Sequence, residues 1–247
     1  MARIITIFVL AFCISQRGEA IEYYAHSLEG GVVDNNGVLM PIPNSGSRAF
    51  ALAIVQHIID DKKQDQIRHV PLSRALKLLN SDKAVVVAGI ISTPKRSKKF
   101  NWIGALYVDR YKFYEIDSHT VLSKRVSDHL EASICVVADS AAEEIVEGIG
   151  FNNIHRVGSY STCLRMLEAK RIRFVPILES DFRAKIYGAR LGLTNIRESG
   201  LPSVAVESHL VASFQVKPED VAMLRKRLVD FKKSKHYADL MRTYLYK

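Results

Sequence analysis

The residues most able to do chemistry lie in one short run, Val85-Val86-Val87-Ala88-Gly89-Ile90-Ile91-Ser92-Thr93-Pro94-Lys95-Arg96. An apolar, β-branched stretch reaches a glycine, then a Ser-Thr-Pro cluster, then a fixed cation. The pattern predicts a buried strand that ends in a turn, with Thr93 as N-cap and Pro94 as first residue of a helix. Backbone N–H groups at such a helix start, beside Arg96, can seat a carboxylate or another small anion. The same residues also suit a capped helix carrying a solvated Lys-Arg pair.

Other reactive side chains are scattered. His26, His155 and His209, with Glu179 and Glu207, are the candidates for a general acid or base. His26 falls just after the first expected strand, where ligands approach α/β sheets. No Gly-x-Ser-x-Gly run, paired metal-binding histidines or phosphate loop is present, so no metal and no cofactor is expected. Cys13 lies in the leader, leaving Cys135 in an expected strand and Cys163 near an expected helix start. A disulfide and two buried free thiols are both open to that pair.

The elements that must hold these residues follow an α/β order. Residues 1–20 read as a secretory signal peptide: Arg3, an apolar run from Ile4 to Ile14, and a small-x-small end at Gly18-Glu19-Ala20. That run is about half of the ~20 residues that span a bilayer. The chain carries a formal charge of +9, and without the leader 33 basic side chains remain against 25 acidic ones. No basic stripe interleaved with aromatics accompanies that surplus, so nucleic acid is not an expected partner. The surplus suits attraction of small anions.

Beyond the leader, strands are expected at Ile21–Tyr24, Ile67–Val70 and Ala84–Ile90, with helices over Phe50–Ile59 and Pro71–Leu79. The segment from Ser27 to Ser47, rich in Gly, Asn and Pro, reads as a loop. Gly104–Ile116 reads as extended and aromatic. The grammar then repeats with strands at Ile134–Val137, Ile154–Val157 and Phe174–Leu178. Helices start at Asp139-Ser140, at Ser159 to Ser161 and at Asp181, the last running to Leu191. Strands at Val204–Val206 and Leu210–Phe214 precede a helix opened by Pro218 and a Tyr-rich helical tail. Two α/β units joined around Gly104 to Ser123 predict a bilobal α/β protein.

This order resembles the periplasmic solute-binding proteins of the amino-acid type, family 3 of the extracellular solute-binding proteins. Thr93-Pro94-Lys95-Arg96 is similar to the family's Thr-x-x-Arg. The segment from Trp102 to Tyr107 stands where the family has Phe-Ser-x-Pro-Tyr, and Val136-Val137-Ala138-Asp139-Ser140 is similar to its second-lobe strand and helix start. The stretches from Ser161 to Arg173 and from Lys217 to Arg225 also look like family segments.

The resemblance implies a type II periplasmic-binding-protein-like fold, two α/β lobes joined by a crossover hinge. Lobe 1 would hold residues 21–107 and take back 201–247, and lobe 2 with the hinge would hold 108–200. It implies a ligand site in which Arg96 pairs with a ligand carboxylate, assisted by Thr93 and Ile91. Ser140 would hold the ligand from lobe 2, and Tyr24 and Arg173 complete the implied set. Where members hold an ammonium with Asp, this sequence aligns Arg173, which repels one. The implied ligand is therefore a small carboxylate-bearing, anionic solute rather than an α-amino acid. The implied setting is periplasmic, with a monomer delivering its solute to a membrane transporter or a sensor. Two alternatives accompany that reading: a ligand-free relative acting through protein contacts, and a small-carboxylate dehydratase or lyase on the same scaffold.

Overall fold

The run that opens at Val85 forms the middle of a sheet whose two faces are both covered. In the computed structural model, residues 20–26, 32–35, 38–59, 67–116, 123–183 and 195–245 are described. The first elements are β1 (Glu22–His26), β2 (Val32–Asn35), β3 (Val38–Pro41), α1 (Ser47–Ile58), β4 (Arg68–Val70), α2 (Leu72–Leu79) and β5 (Val85–Ile91). β1 pairs in parallel with both β4 and β5. Val86 and Ala88 of β5 pack with Phe50 and Ile54 of α1. Val85, Val87 and Ile90 pack with Ala75 and Leu79 of α2. An uninterrupted apolar strand is what burial on two faces requires.

A single long strand, β6 (Asn101–Ile116), then leaves this sheet for a second unit. That unit contains β7 (Ile134–Val137), α3 (Ala141–Ile149), β8 (Ile154–Val157), α4 (Tyr160–Glu168), β9 (Val175–Leu178), α5 (Glu179–Arg183) and β10 (Ile196–Glu198). The far half of β6 pairs antiparallel with β9 and β10. β7 joins by a parallel bridge from Ile134 to Phe174 and pairs in parallel with β8. The chain returns through β11 (Val204–Ala212), which lies antiparallel between β5 and β6. It ends in α6 (Pro218–Lys232) and α7 (Lys235–Tyr244), which close over α1 through Leu224, Leu228 and Leu240. The result is two α/β lobes strung on two antiparallel crossing strands.

Helix starts in lobe 2 follow the expected chemistry. Ser140 accepts the Glu143 N–H at 3.2 Å and Ser159 accepts the Thr162 N–H at 3.2 Å. Cys135 of β7 and Cys163 of α4 form a disulfide, which resolves the alternative left open above.

Three expectations are corrected. The segment after β5 is no regular helix: Pro94 to Lys98 form successive turns held by the Thr93 carbonyl, which accepts from the N–H groups of Arg96 and Ser97 at 3.0 Å each. Part of the expected Ser27–Ser47 loop is an antiparallel β2–β3 pair, anchored where Leu39 is buried in the core beside α1. β5 also runs to Ile91, one residue beyond the expected strand end at Ile90. The helix expected to run to Leu191 is described only over α5, and residues 184–194 lie outside the described residues, as do 1–19 with the expected leader. Among the described residues no helix is long and apolar enough to cross a membrane.

Candidate functional site

The C-terminal ends of the parallel strands of both lobes face each other, the position at which open α/β sheets take ligands. A cavity of about 330 Å³ lies there, at the small end of the range of ligand sites. Lobe 1 lines it from the ends of β1 and β5, the first turns of α1, and the β4–α2 junction. Lobe 2 lines it from the starts of α3 and α4 and from β9, while Tyr107 and Tyr111 of β6 span the two.

Its polar wall is built around a β-bulge. Opposite β11 the register slips between His209 and Leu210, so that Ile90 and Ala88 are paired and Gly89 is left over. Gly89 has φ +86°, open to glycine and strained for other residues. The bulge aims the Gly89 carbonyl at His26, whose Nε2 lies 2.6 Å away. A carbonyl only accepts, so Nε2 carries the proton and Nδ1 is left as an acceptor. Burial pushes the His26 imidazole down to about 4, against the Gly89 carbonyl's pull and with help from Arg48, Arg96 and His69. The ring is therefore neutral at pH 7.

Around it the cavity is cationic and aromatic. Arg48 and His69 come from lobe 1, Tyr160 from lobe 2, and Arg96 from the turns after β5. Among the described residues no Asp or Glu lines the cavity. Burial raises the Tyr107 and Tyr111 hydroxyls well above the ordinary phenol value, so both remain protonated donors. Arg48, His69 and Tyr160 carry no signal of a site in the sequence, and Tyr107 and Tyr111 read there only as part of an extended aromatic stretch. They sit inside elements whose apolar periodicity dominates, and only the tertiary fold brings them to one wall.

Arg96 and Thr93 meet on a carboxylate supplied by the protein. Arg96 is 4% exposed; its Nε donates to Glu144 Oε1 at 2.7 Å and its Nη2 to the Asp139 carbonyl at 2.8 Å. Thr93 Oγ1 donates to the other oxygen, Glu144 Oε2, at 2.5 Å. Glu144 and Asp139 belong to lobe 2, so these bonds cross the cleft. Two more contacts do the same. Lys95 Nζ lies 2.7 Å from Glu147 Oε2, and Asp181 Oδ1 accepts from the Ser47 N–H and hydroxyl at 3.1 and 2.8 Å. Asp181 thereby caps α1 from the opposite lobe, where Gly46 offers no side chain.

Ile91 and Ser140 line the cavity with Arg96. Tyr24 and Arg173 do not, which corrects the implied set. Tyr24 points to the α2 face of the sheet, and its hydroxyl donates to Glu22. Arg173 is held 2.9 Å from the buried carboxylate of Glu115, which also receives Arg197 at 3.1 Å. Of the acid–base candidates only His26 lines the cavity. His209 packs edge-on against Trp102 and lies 3.3 Å from Glu207. Among the described residues no cluster of three or more His, Cys, Asp or Glu is arranged to hold a metal.

No protein-family profile matches the sequence, and no curated protein matches it. Solved structures match the fold closely. An ancestral arginine-binding protein bound to glutamine superposes with a TM-score of 0.72 at 16% identity, covering 94% of this chain and 99% of that one. A histidine kinase sensor domain with similarity to periplasmic binding proteins gives 0.70 at 13% identity, over 90% and 95% of the two chains. An ancestral amino-acid-binding protein described as a precursor of cyclohexadienyl dehydratase gives 0.68 at 13%, over 93% and 96%. The fold is periplasmic-binding-protein-like. At these identities the likeness concerns the fold alone.

Proposed function

We propose that this chain is an extracytoplasmic binding protein whose lobes enclose a small carboxylate-bearing, anionic solute for delivery to a membrane transporter or a sensor. The single observation that carries this reading is the composition of the cavity wall: two arginines, two histidines and three tyrosines, with no acidic residue among the described residues that line it. An anion gains from Arg48 and Arg96 there, whereas an ammonium or a second guanidinium is repelled by both and finds no carboxylate among the described lining residues. The similar solved proteins, bound to glutamine in one case and part of a sensor kinase in another, agree with a small-molecule role. The division into lobe 1 at 21–107 with 201–247, and lobe 2 at 108–200, is part of this proposal.

Arg48 is the proposed anchor, with Arg96, Ile91 and Ser140 lining the same cavity and Thr93 acting through Glu144. The test is a thermal-shift and calorimetric titration of the protein with monocarboxylates, dicarboxylates, keto acids and amino acids at fixed ionic strength. A saturable response to carboxylates, weakened at least tenfold by Arg48→Ala, is expected from the loss of one charge-assisted pair. A response to basic amino acids instead would overturn the anionic reading. A flat response from folded protein would favour the ligand-free interaction role.

A further inference from the structure

The seat formed by Arg96 and Thr93 has the composition of a carboxylate-binding site, and its occupant is Glu144. One guanidinium nitrogen and one hydroxyl each take a separate oxygen of the same carboxylate, at 2.7 and 2.5 Å. The opposite half is satisfied in the same way. Glu143 Oε2 accepts the Asp139 N–H at 2.7 Å, and Ser140 Oγ accepts the Glu143 N–H at 3.2 Å. Two amides at the start of α3, those of Asp139 and Glu143, are thus engaged by side chains of the same segment. Arg96, Thr93 and Ser140 are all buried, so the arrangement sits inside the closed cleft rather than on its rim.

We propose that Glu144 is a built-in ligand of the Arg96–Thr93 seat, a tethered carboxylate that latches the two lobes together and reserves that seat against free carboxylates. Arg96 joins lobe 1 to Glu144 and to the Asp139 carbonyl of lobe 2, and opening the cleft breaks all of these bonds at once. Lys95–Glu147, with its lysine largely exposed, adds a salt-sensitive contact beside them. The latch acts between the lobes whether or not a solute lies in the inner cavity. Its consequence for selection is that a solute is sorted by the Arg48 wall instead.

Small-angle scattering with chemical rescue tests this. Glu144→Ala removes a CH₂–COO⁻ unit, close in shape to acetate. In chloride buffer the variant should show a larger radius of gyration than the parent protein. Acetate at equal ionic strength should restore the parent value, and formate should do so less well. The parent protein and a Glu144→Ala/Arg96→Ala double variant should not respond to acetate. Glu144→Gln, which preserves side-chain volume and a partner for Thr93, serves if the alanine variant fails to fold, and it too should scatter as a more open molecule. A Glu144 variant as closed as the parent in chloride, or one that acetate leaves unchanged, overturns the latch. Titration of the carboxylate panel in the unaltered protein reads the Arg48 wall separately, so the two proposals fail by different results.

Discussion

His26, Gly89 and Arg48 form the smallest unit on which the site depends. A histidine whose folded value lies near 4 instead of the ordinary 6.5 takes up a proton on unfolding between those two pH values. Its contribution to stability is complete above about pH 6.5 and is lost as pH falls toward 4, by up to about 3 kcal/mol. Asp109, raised by burial to about 6 from 3.8, acts in the opposite sense, since its folded form gains stability as it protonates. The net acid loss should therefore be shallow between pH 6 and 4. His26→Gln, which keeps a donor toward the Gly89 carbonyl, removes the destabilising component, and urea melts across pH 4–8 should show it. Gly89→Ala should cost about 1–2 kcal/mol: its φ is positive, and a Cβ there would stand 3.3 Å from His26 Nε2. Denaturant melts of that variant provide the measurement, and an unchanged midpoint would mean that the bulge relaxes freely.

At the scale of elements, the helix starts of lobe 2 were the most legible features. Ser140 and Ser159 lie directly before apolar helical runs and cap them, as local chemistry alone dictates. Pro94 carried the same signal and failed. Its segment is spent on reaching lobe 2, and the Arg96 and Lys95 side chains leave for Glu144 and Glu147 instead of continuing a helix. The carboxylate seat was therefore legible as a set of residue types, while its occupant was not, because Glu144 lies 48 residues from Arg96. Arg173 was misplaced for the same reason, since no periodicity reveals that Glu115 waits on β6. The disulfide ties β7 to α4 across 28 residues, and loop-closure entropy gives it about 3–4 kcal/mol. A Cys135→Ala/Cys163→Ala variant should lose stability of that order in calorimetry, with lobe 2 melting first.

For the whole molecule, the cross-cleft bonds decide how the lobes sit. Asp181 is 1% exposed and serves as the cap of α1 while belonging to the other lobe. Asp181→Ala leaves the first amides of α1 without that acceptor. It should cost about 1 kcal/mol in the melt and shift the lobes toward the open form in scattering. An unchanged scattering profile would mean that the remaining contacts suffice.

The position of β11 sets an order of assembly. It lies between β5 and β6, so the sheet of lobe 1 has a gap until residues 204–212 have been made. Lobe 2 draws its strands from one continuous stretch of chain ending at β10, with only Val204 and Val206 of β11 added to its core. During synthesis the second lobe can therefore mature while β5 and the near half of β6 still lack the strand that joins them. A nascent chain halted before Val204 should resist proteolysis in its later half and be digested in its earlier one.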